Sequence, residues 1–219
     1  MKKVQDHFFQ KAKRDGLAAR SAYKLEEIDR KQRLLRPGQT VLDLGCAPGS
    51  WLQIVAGRIG PKGRVVGVDL QPVTLALPSQ VRVLTGDVFE VSPRQLMACA
   101  AEGTAEPHSF FDLVLSDMAP KTTGIPSADA ARSADLALRA LALAQAVLRP
   151  GGDLLVKVFQ GTRLAEVRKA FAAAFERVTL EKPAASRSES VEIFLLARRL
   201  RPIAEAPAIA QPEHAAEAP

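Results

Sequence analysis

Between Thr40 and Ile59 a buried-strand run, Thr40-Val41-Leu42-Asp43-Leu44, passes through Gly45-Cys46-Ala47-Pro48-Gly49 into a helical pattern, Ser50 to Ile59. A strand feeding a helix through a short glycine loop is the opening of a unit that builds open α/β sheets and places ligands at the strand end. The alternation continues. Gly63 to Asp69 and Val81 to Leu84 read as strands, Pro93 to Ala101 as a helix, and Leu113 to Asp117 as a strand. The longest helical pattern spans Ala128 to Leu148 and stops before Pro150-Gly151-Gly152. Leu154 to Phe159 reads as a strand, Arg163 to Phe175 as a helix, and Val178 to Leu180 and Val191 to Ala197 as strands. The last two lack a helical spacer and are expected to pair antiparallel. The expectation is an α/β fold with a doubly wound, mostly parallel seven-stranded sheet and an antiparallel final strand.

Before the sheet, Ser21 to Lys31 reads as a helix with Ala22, Leu25 and Ile28 on one face and Ser21 as a candidate cap. The net charge of +6 is concentrated here: residues 1–36 hold eleven Lys or Arg against five Asp or Glu, and the remainder is balanced. A basic arm is the usual footprint of a polyanion, most often nucleic acid, although charge alone also fits a solvated amphipathic helix. The chain therefore divides into a basic arm and helix (1–36), a main domain (37–200), and a tail (201–219) whose alanine, proline and glutamate imply disorder.

Several classes fall away. No apolar stretch approaches the roughly 20 residues of a membrane span. Met1-Lys2-Lys3 is followed by Val4-Gln5-Asp6-His7, not by the apolar segment of an export signal. Cys46 and Cys99 lie outside disulfide or zinc spacing, and His7, His108 and His214 are scattered. A cytoplasmic, monomeric protein without a metal is expected.

Three acids mark successive strand ends: Asp43 before the glycine loop, Asp69 as the last residue of the second strand, and Asp87 after Gly86. The loop spacing is Gly-x-x-x-Gly, not that of a dinucleotide pyrophosphate site. Asp69 stands where an acid chelates ribose hydroxyls, and Asp87 could accept from an adenine amino group. Each alone could be a turn residue. Together with the loop they describe an adenosyl ligand without phosphate, S-adenosyl-L-methionine.

Lys157 interrupts the apolar run Leu154 to Phe159. Burying an isolated ammonium is costly, so it needs a partner, unless the strand lies at an edge with Lys157 facing water. Asp117 at the end of the neighbouring strand, Glu192 at the start of the last one, and Lys24 on the N-terminal helix could converge on it.

Ala22-Tyr23-Lys24-Leu25, Asp43-Leu44-Gly45-Cys46-Ala47-Pro48-Gly49-Ser50-Trp51, Ser116-Asp117-Met118-Ala119-Pro120, Val156-Lys157-Val158-Phe159-Gln160-Gly161 and Ser186-Arg187 with Val191-Glu192-Ile193-Phe194 resemble the RrmJ/FtsJ (RlmE) ribosomal RNA ribose 2′-O-methyltransferases. The resemblance runs from about Asp6 to Arg198. It implies a Rossmann-like class I methyltransferase with the catalytic tetrad Lys24, Asp117, Lys157 and Glu192. It also implies a cofactor site at Asp43, Gly45, Pro48, Gly49, Trp51, Asp69, Asp87 and Asp117, although a lone helical tryptophan is as often core. The implied substrate is a uridine ribose in the A-loop of large-subunit (23S) ribosomal RNA, as naked RNA or within the 50S subunit. In that chemistry Lys157 acts as base or hydroxyl-orienting group, Lys24 holds substrate oxygen or phosphate, and the two acids position the lysines.

Four departures stand out. Ser50 replaces the family's second loop glycine, and Lys121 stands where asparagine is usual. The basic segment before Asp6 is short, and the tail has no counterpart. The rival readings are a methyltransferase of another RNA, such as tRNA, and a non-catalytic RNA-binding assembly factor. All four tetrad residues being present argues against both.

Overall fold

In the computed structural model, which describes residues 7–103, 110–185 and 190–202, the chain opens with α1 (His7–Arg14), α2 (Ala22–Gln32), β1 (Thr40–Leu44) and α3 (Ser50–Ile59). It continues through β2 (Arg64–Asp69), β3 (Val81–Thr85), α4 (Pro93–Ala101), β4 (Phe111–Ser116) and α5 (Pro126–Val147). β5 (Leu148–Phe159), α6 (Leu164–Ala174), β6 (Phe175–Glu181) and β7 (Glu192–Leu200) complete it. The sheet order is β3-β2-β1-β4-β5-β7-β6. β7 runs antiparallel to both neighbours, having slotted between β5 and β6. The order reverses between β1 and β4, which opens a crevice above their C-terminal ends.

Strand alternation sorts the core into two layers. Leu154, Val156 and Val158 of β5 face the layer that holds Ala137, Ala140 and Ala144 of α5 and Phe171 of α6. Leu155 faces the other, with Leu25 of α2, Leu52 and Val55 of α3, and Phe194 and Leu196 of β7. Burying each such large apolar side chain stabilises the fold by roughly 1.5–3 kcal/mol. Lys157 falls on the α2 side by the same period of two. β5 lies between β4 and β7, so the edge-strand reading of Lys157 fails.

Two elements differ from expectation. β5 begins at Leu148 and runs through Pro150-Gly151-Gly152, where a loop was expected. Its register against β4 shifts between Phe111 and Leu113. Gly151 takes φ 77°, a left-handed conformation that lets the strand continue as an irregular extension. The basic arm also contains α1, whose eight residues are too short for a clear periodic signal. No described helix is long and apolar enough to cross a membrane. Ser186, Arg187, His108, His214 and the tail from residue 203 lie outside the described residues.

Candidate active site

The crevice over β1 and β4 is a cleft of about 530 Å³ whose lining includes Gly45, Asp69, Asp87, Phe89, Asp117 and Met118. Gly45 has φ 80°, and a Cβ there would sit 2.7 Å from Met118 Cγ. Only glycine lets the β1 loop approach the β4 turn this closely. Asp69 Oδ2 accepts the Ala47 N–H (2.9 Å) and Oδ1 accepts the Gln71 N–H (2.9 Å), so this carboxylate holds both loops at the mouth. Each oxygen keeps a further lone pair for a hydroxyl. Asp87 is exposed, with Oδ1 accepting from Phe89 N (2.9 Å).

Asp43 lies beneath the loop, fully buried. Among the described residues neither of its carboxylate oxygens has a hydrogen-bond partner. Burial, with the charges of Asp117 and Asp69, raises its carboxyl well above 3.8. A buried acid without a partner, under a loop that a side chain at Gly45 would block, suits a cationic ligand. Because the folded-state value is raised, the native protein holds its proton more tightly than the unfolded chain. Stability from this group is fully present below the ordinary carboxylate range and is lost as pH rises through the raised value. Asp43→Asn is therefore expected to raise the midpoint of denaturant unfolding at pH 8, with the gain shrinking towards pH 4. An equal gain at both pH values would contradict the assignment.

Beside the cleft, four charged side chains meet. Lys157 Nζ donates to the Asp117 carbonyl oxygen (2.7 Å) and lies 3.0 Å from Asp117 Oδ1 and 3.6 Å from Glu192 Oε1. Lys24 Nζ donates to Glu192 Oε2 (2.6 Å). The chain Lys24–Glu192–Lys157–Asp117 thus alternates in sign, as buried charges require. Lys157 is 5% exposed, and the register that pairs Lys157 with Phe194 and Phe159 with Glu192 brings the acid to it. Burial pushes the Glu192 carboxyl up, but the hydrogen bond from Lys24 and the charge of Lys157 hold it below its ordinary 4.5.

Helix α3 sets the position of Lys24. Ser21 Oγ and Ser50 Oγ are hydrogen-bonded (2.9 Å), so Ser50 ties the start of α3 to the start of α2. Trp51 Nε1 donates to the Ser21 carbonyl (2.9 Å), and its ring stacks on Phe194 at 6.0 Å. Trp51 is 2% exposed, packs in the core against Phe194, and is not among the residues lining the cleft. Pro48 follows a cis peptide bond, and Gly49, at φ 112°, leads into α3 against Val73 and Leu75. Both shape the loop, and neither lines the cleft. Cys46 is buried against Gly67.

Sequence reasoning missed several residues. Phe89 and Leu70 line the cleft as exposed apolar side chains just after two of the marker acids, a signal that was readable. Arg132 and Asp135 line it from α5, whose pattern gave no hint of them. Ser133 Oγ accepts from Phe159 N (3.0 Å) and secures the end of the Lys157 strand.

The sequence matches the FtsJ-like methyltransferase family over residues 17–200. The chain belongs to that family. Ribosomal RNA large subunit methyltransferase E of Syntrophobacter fumaroxidans is 48% identical over 198 residues, covering 90% of this chain and 97% of that protein. The protein of the same name from Myxococcus xanthus is 46% identical over 197 residues, covering 90% of each. Among solved structures, a ribosomal RNA methyltransferase from Plasmodium falciparum superposes with a TM-score of 0.71 at 25% identity, covering 83% of this chain and 97% of that one. Fibrillarin of Aeropyrum pernix, solved with natively bound S-adenosyl-L-methionine, shares the fold at 18% identity and a TM-score of 0.57, covering 81% of this chain and 76% of that one. In this FtsJ-like methyltransferase, Asp117 belongs to both halves of the site: it lines the cleft and it pairs with Lys157.

Proposed function

We propose that the protein transfers a methyl group from S-adenosyl-L-methionine to a ribose 2′-hydroxyl of large-subunit ribosomal RNA, at a uridine of the A-loop in the 50S subunit. The observation that carries this reading is the Lys24–Glu192–Lys157–Asp117 array abutting an acid-rimmed cleft. Relatives named ribosomal RNA large subunit methyltransferase E support the substrate class, and the basic arm supports a polyanion partner.

The cofactor, when bound, supplies a methyl group already activated on a sulfonium. The residues present fit it. Asp69 would accept from the ribose hydroxyls, Asp87 from the adenine amino group, and Phe89 and Leu70 offer apolar surface to the base. The buried carboxylate of Asp43 and the close-set loop at Gly45 would complete the seat. Asp69→Ala is expected to raise the cofactor dissociation constant about tenfold, the loss of a charged hydrogen bond of roughly 1.5 kcal/mol. An unchanged constant by calorimetry would remove Asp69 from the site.

A ribose hydroxyl is a weak nucleophile at neutral pH, so the residues must align it and handle one proton. Lys157 stands beside Asp117 at the cleft and would orient the hydroxyl. Lys157 Nζ would take the hydroxyl proton as the ribose oxygen accepts the methyl group that the cofactor sulfonium supplies, the cofactor leaving as the thioether. Asp117 and Glu192 then compensate the ammonium. Lys24 would hold a substrate oxygen or phosphate from the α2 side. The deciding assay gives the protein labelled cofactor with 50S subunits, naked large-subunit RNA or tRNA. An alkali-resistant linkage at one uridine of the A-loop is expected; label on a base, or only in tRNA, overturns the reading.

A further inference from the structure

A second cleft, of about 410 Å³, lies at the other end of the strands, near the N-terminal ends of β4 and β5, and methyl transfer leaves it unused. Five arginines line it, Arg36, Arg149, Arg177, Arg198 and Arg199, against the carboxylates Asp112 and Asp153. Both oxygens of each acid accept a hydrogen bond from the protein. Asp112 accepts from Arg149 Nε (2.7 Å) and from Thr40 N (2.8 Å). Asp153 accepts from Arg198 Nη1 (2.9 Å) and from Arg199 N (2.9 Å). Glu176, which pairs with Arg199, is not part of the lining. The guanidinium groups of Arg36 and Arg177 have no ion-pair partner among the described residues.

The lining carries five guanidinium groups against two carboxylates, a surplus of positive charge. Arg177 and Arg198 are direct cross-strand partners on β6 and β7, where like charges repel. Arg199 takes φ 59°, a left-handed conformation that a non-glycine residue seldom adopts, and Asp153 clamps its N–H there. The result is a set of arginines held in place by acids, beside two that remain free. Guanidinium clusters of this kind suit phosphate oxygens, which they meet through paired N–H donors.

We propose that this cleft grips backbone phosphates of the RNA substrate, as a second contact remote from the reaction; this rests on the RNA reading above. Glu192 and Arg198 lie six residues apart on β7, so the cleft is about 20 Å from the catalytic lysines at a strand rise of roughly 3.3 Å per residue. Helix α2 runs between the two regions, from Lys24 at the active site to Gln32 at the cleft. Arg30, Lys31 and Arg33 are exposed between or beside these ends. These cations cluster at the C-terminal end of α2, beyond Glu26, Glu27 and Asp29, and Lys31 pairs with Glu181; they widen the basic surface at the cleft, which fits a chain of phosphates better than a single small anion.

The test is the double variant Arg36→Ala/Arg177→Ala in the full chain, chosen because neither guanidinium holds a structural partner. Binding of a fluorescent large-subunit RNA fragment is followed by anisotropy across a salt series. Affinity is expected to fall about tenfold near 0.15 M salt, with the slope of log K against log salt reduced by about 1.4–1.8, the share of two phosphates. Cofactor affinity by calorimetry should keep its wild-type value, which shows that the fold is intact. Wild-type RNA binding that the double variant reproduces in affinity and slope overturns the second grip and leaves the methyltransferase reading standing. Pyrophosphate that stabilises the wild type thermally without competing with RNA also overturns it, marking a small-anion site. Failure of the wild type to bind RNA at all overturns both.

Discussion

Lys157→Ala is expected to lower methyl transfer about 10³-fold in a single-turnover assay, within the range for loss of a positioned acid–base group. Cofactor affinity should change little, because Lys157 touches Asp117 and Glu192 and does not line the cofactor cleft. Removing the ammonium also leaves Asp117 and Glu192 facing each other across the gap, with Lys24 the remaining tetrad cation. Lys157→Arg tests the division of roles: it keeps the charge and cannot accept a proton at working pH. Turnover by Lys157→Ala within tenfold of wild type would remove Lys157 from the chemistry.

Phe194→Ala is expected to cost about 4 kcal/mol of stability and about 10 °C in Tm, from the cost of large-to-small core changes and the sensitivity of domains this size. Phe194 is fully buried on β7, stacks on Trp51, and has Lys24 Nζ 6.0 Å from its ring centroid. Its loss would open the floor beneath the two lysines. Phe194→Leu, which restores most of the apolar volume, should recover more than half of the loss. Denaturant unfolding that shows less than 1 kcal/mol for the alanine variant would mean that the layer between α3 and β7 collapses to fill the cavity.

Much of the fold was legible because strands and helices impose different periods on apolar residues. β1 and α3 match their expected bounds, as does α4, where Ser92 and Gln95 form a capping box before the first turn. The misreading at Pro150-Gly151-Gly152 has a physical cause. Proline and glycine usually end an element, yet here neighbouring β4 supplies the pairing that lets an irregular strand pass through them. α1 was missed for a different reason: a short helix is stabilised by what it packs on, and that information is not local.

Composition and periodicity by themselves determined the α/β alternation, the glycine loop after β1 and the three acids at or near the ends of successive strands. Each depends on neighbours in the chain. Tertiary structure alone decided which charges meet. Lys24 and Glu192 are separated by 168 positions, yet their side chains lie 2.6 Å apart because β7 turns antiparallel and enters beside β5. That same insertion encloses Lys157 and carries Arg198 to the opposite end of the strands, beside the C-terminal end of α2. A sequence pattern can demand a partner for a buried lysine, but the strand order, set by how the whole sheet buries its two faces, chooses that partner.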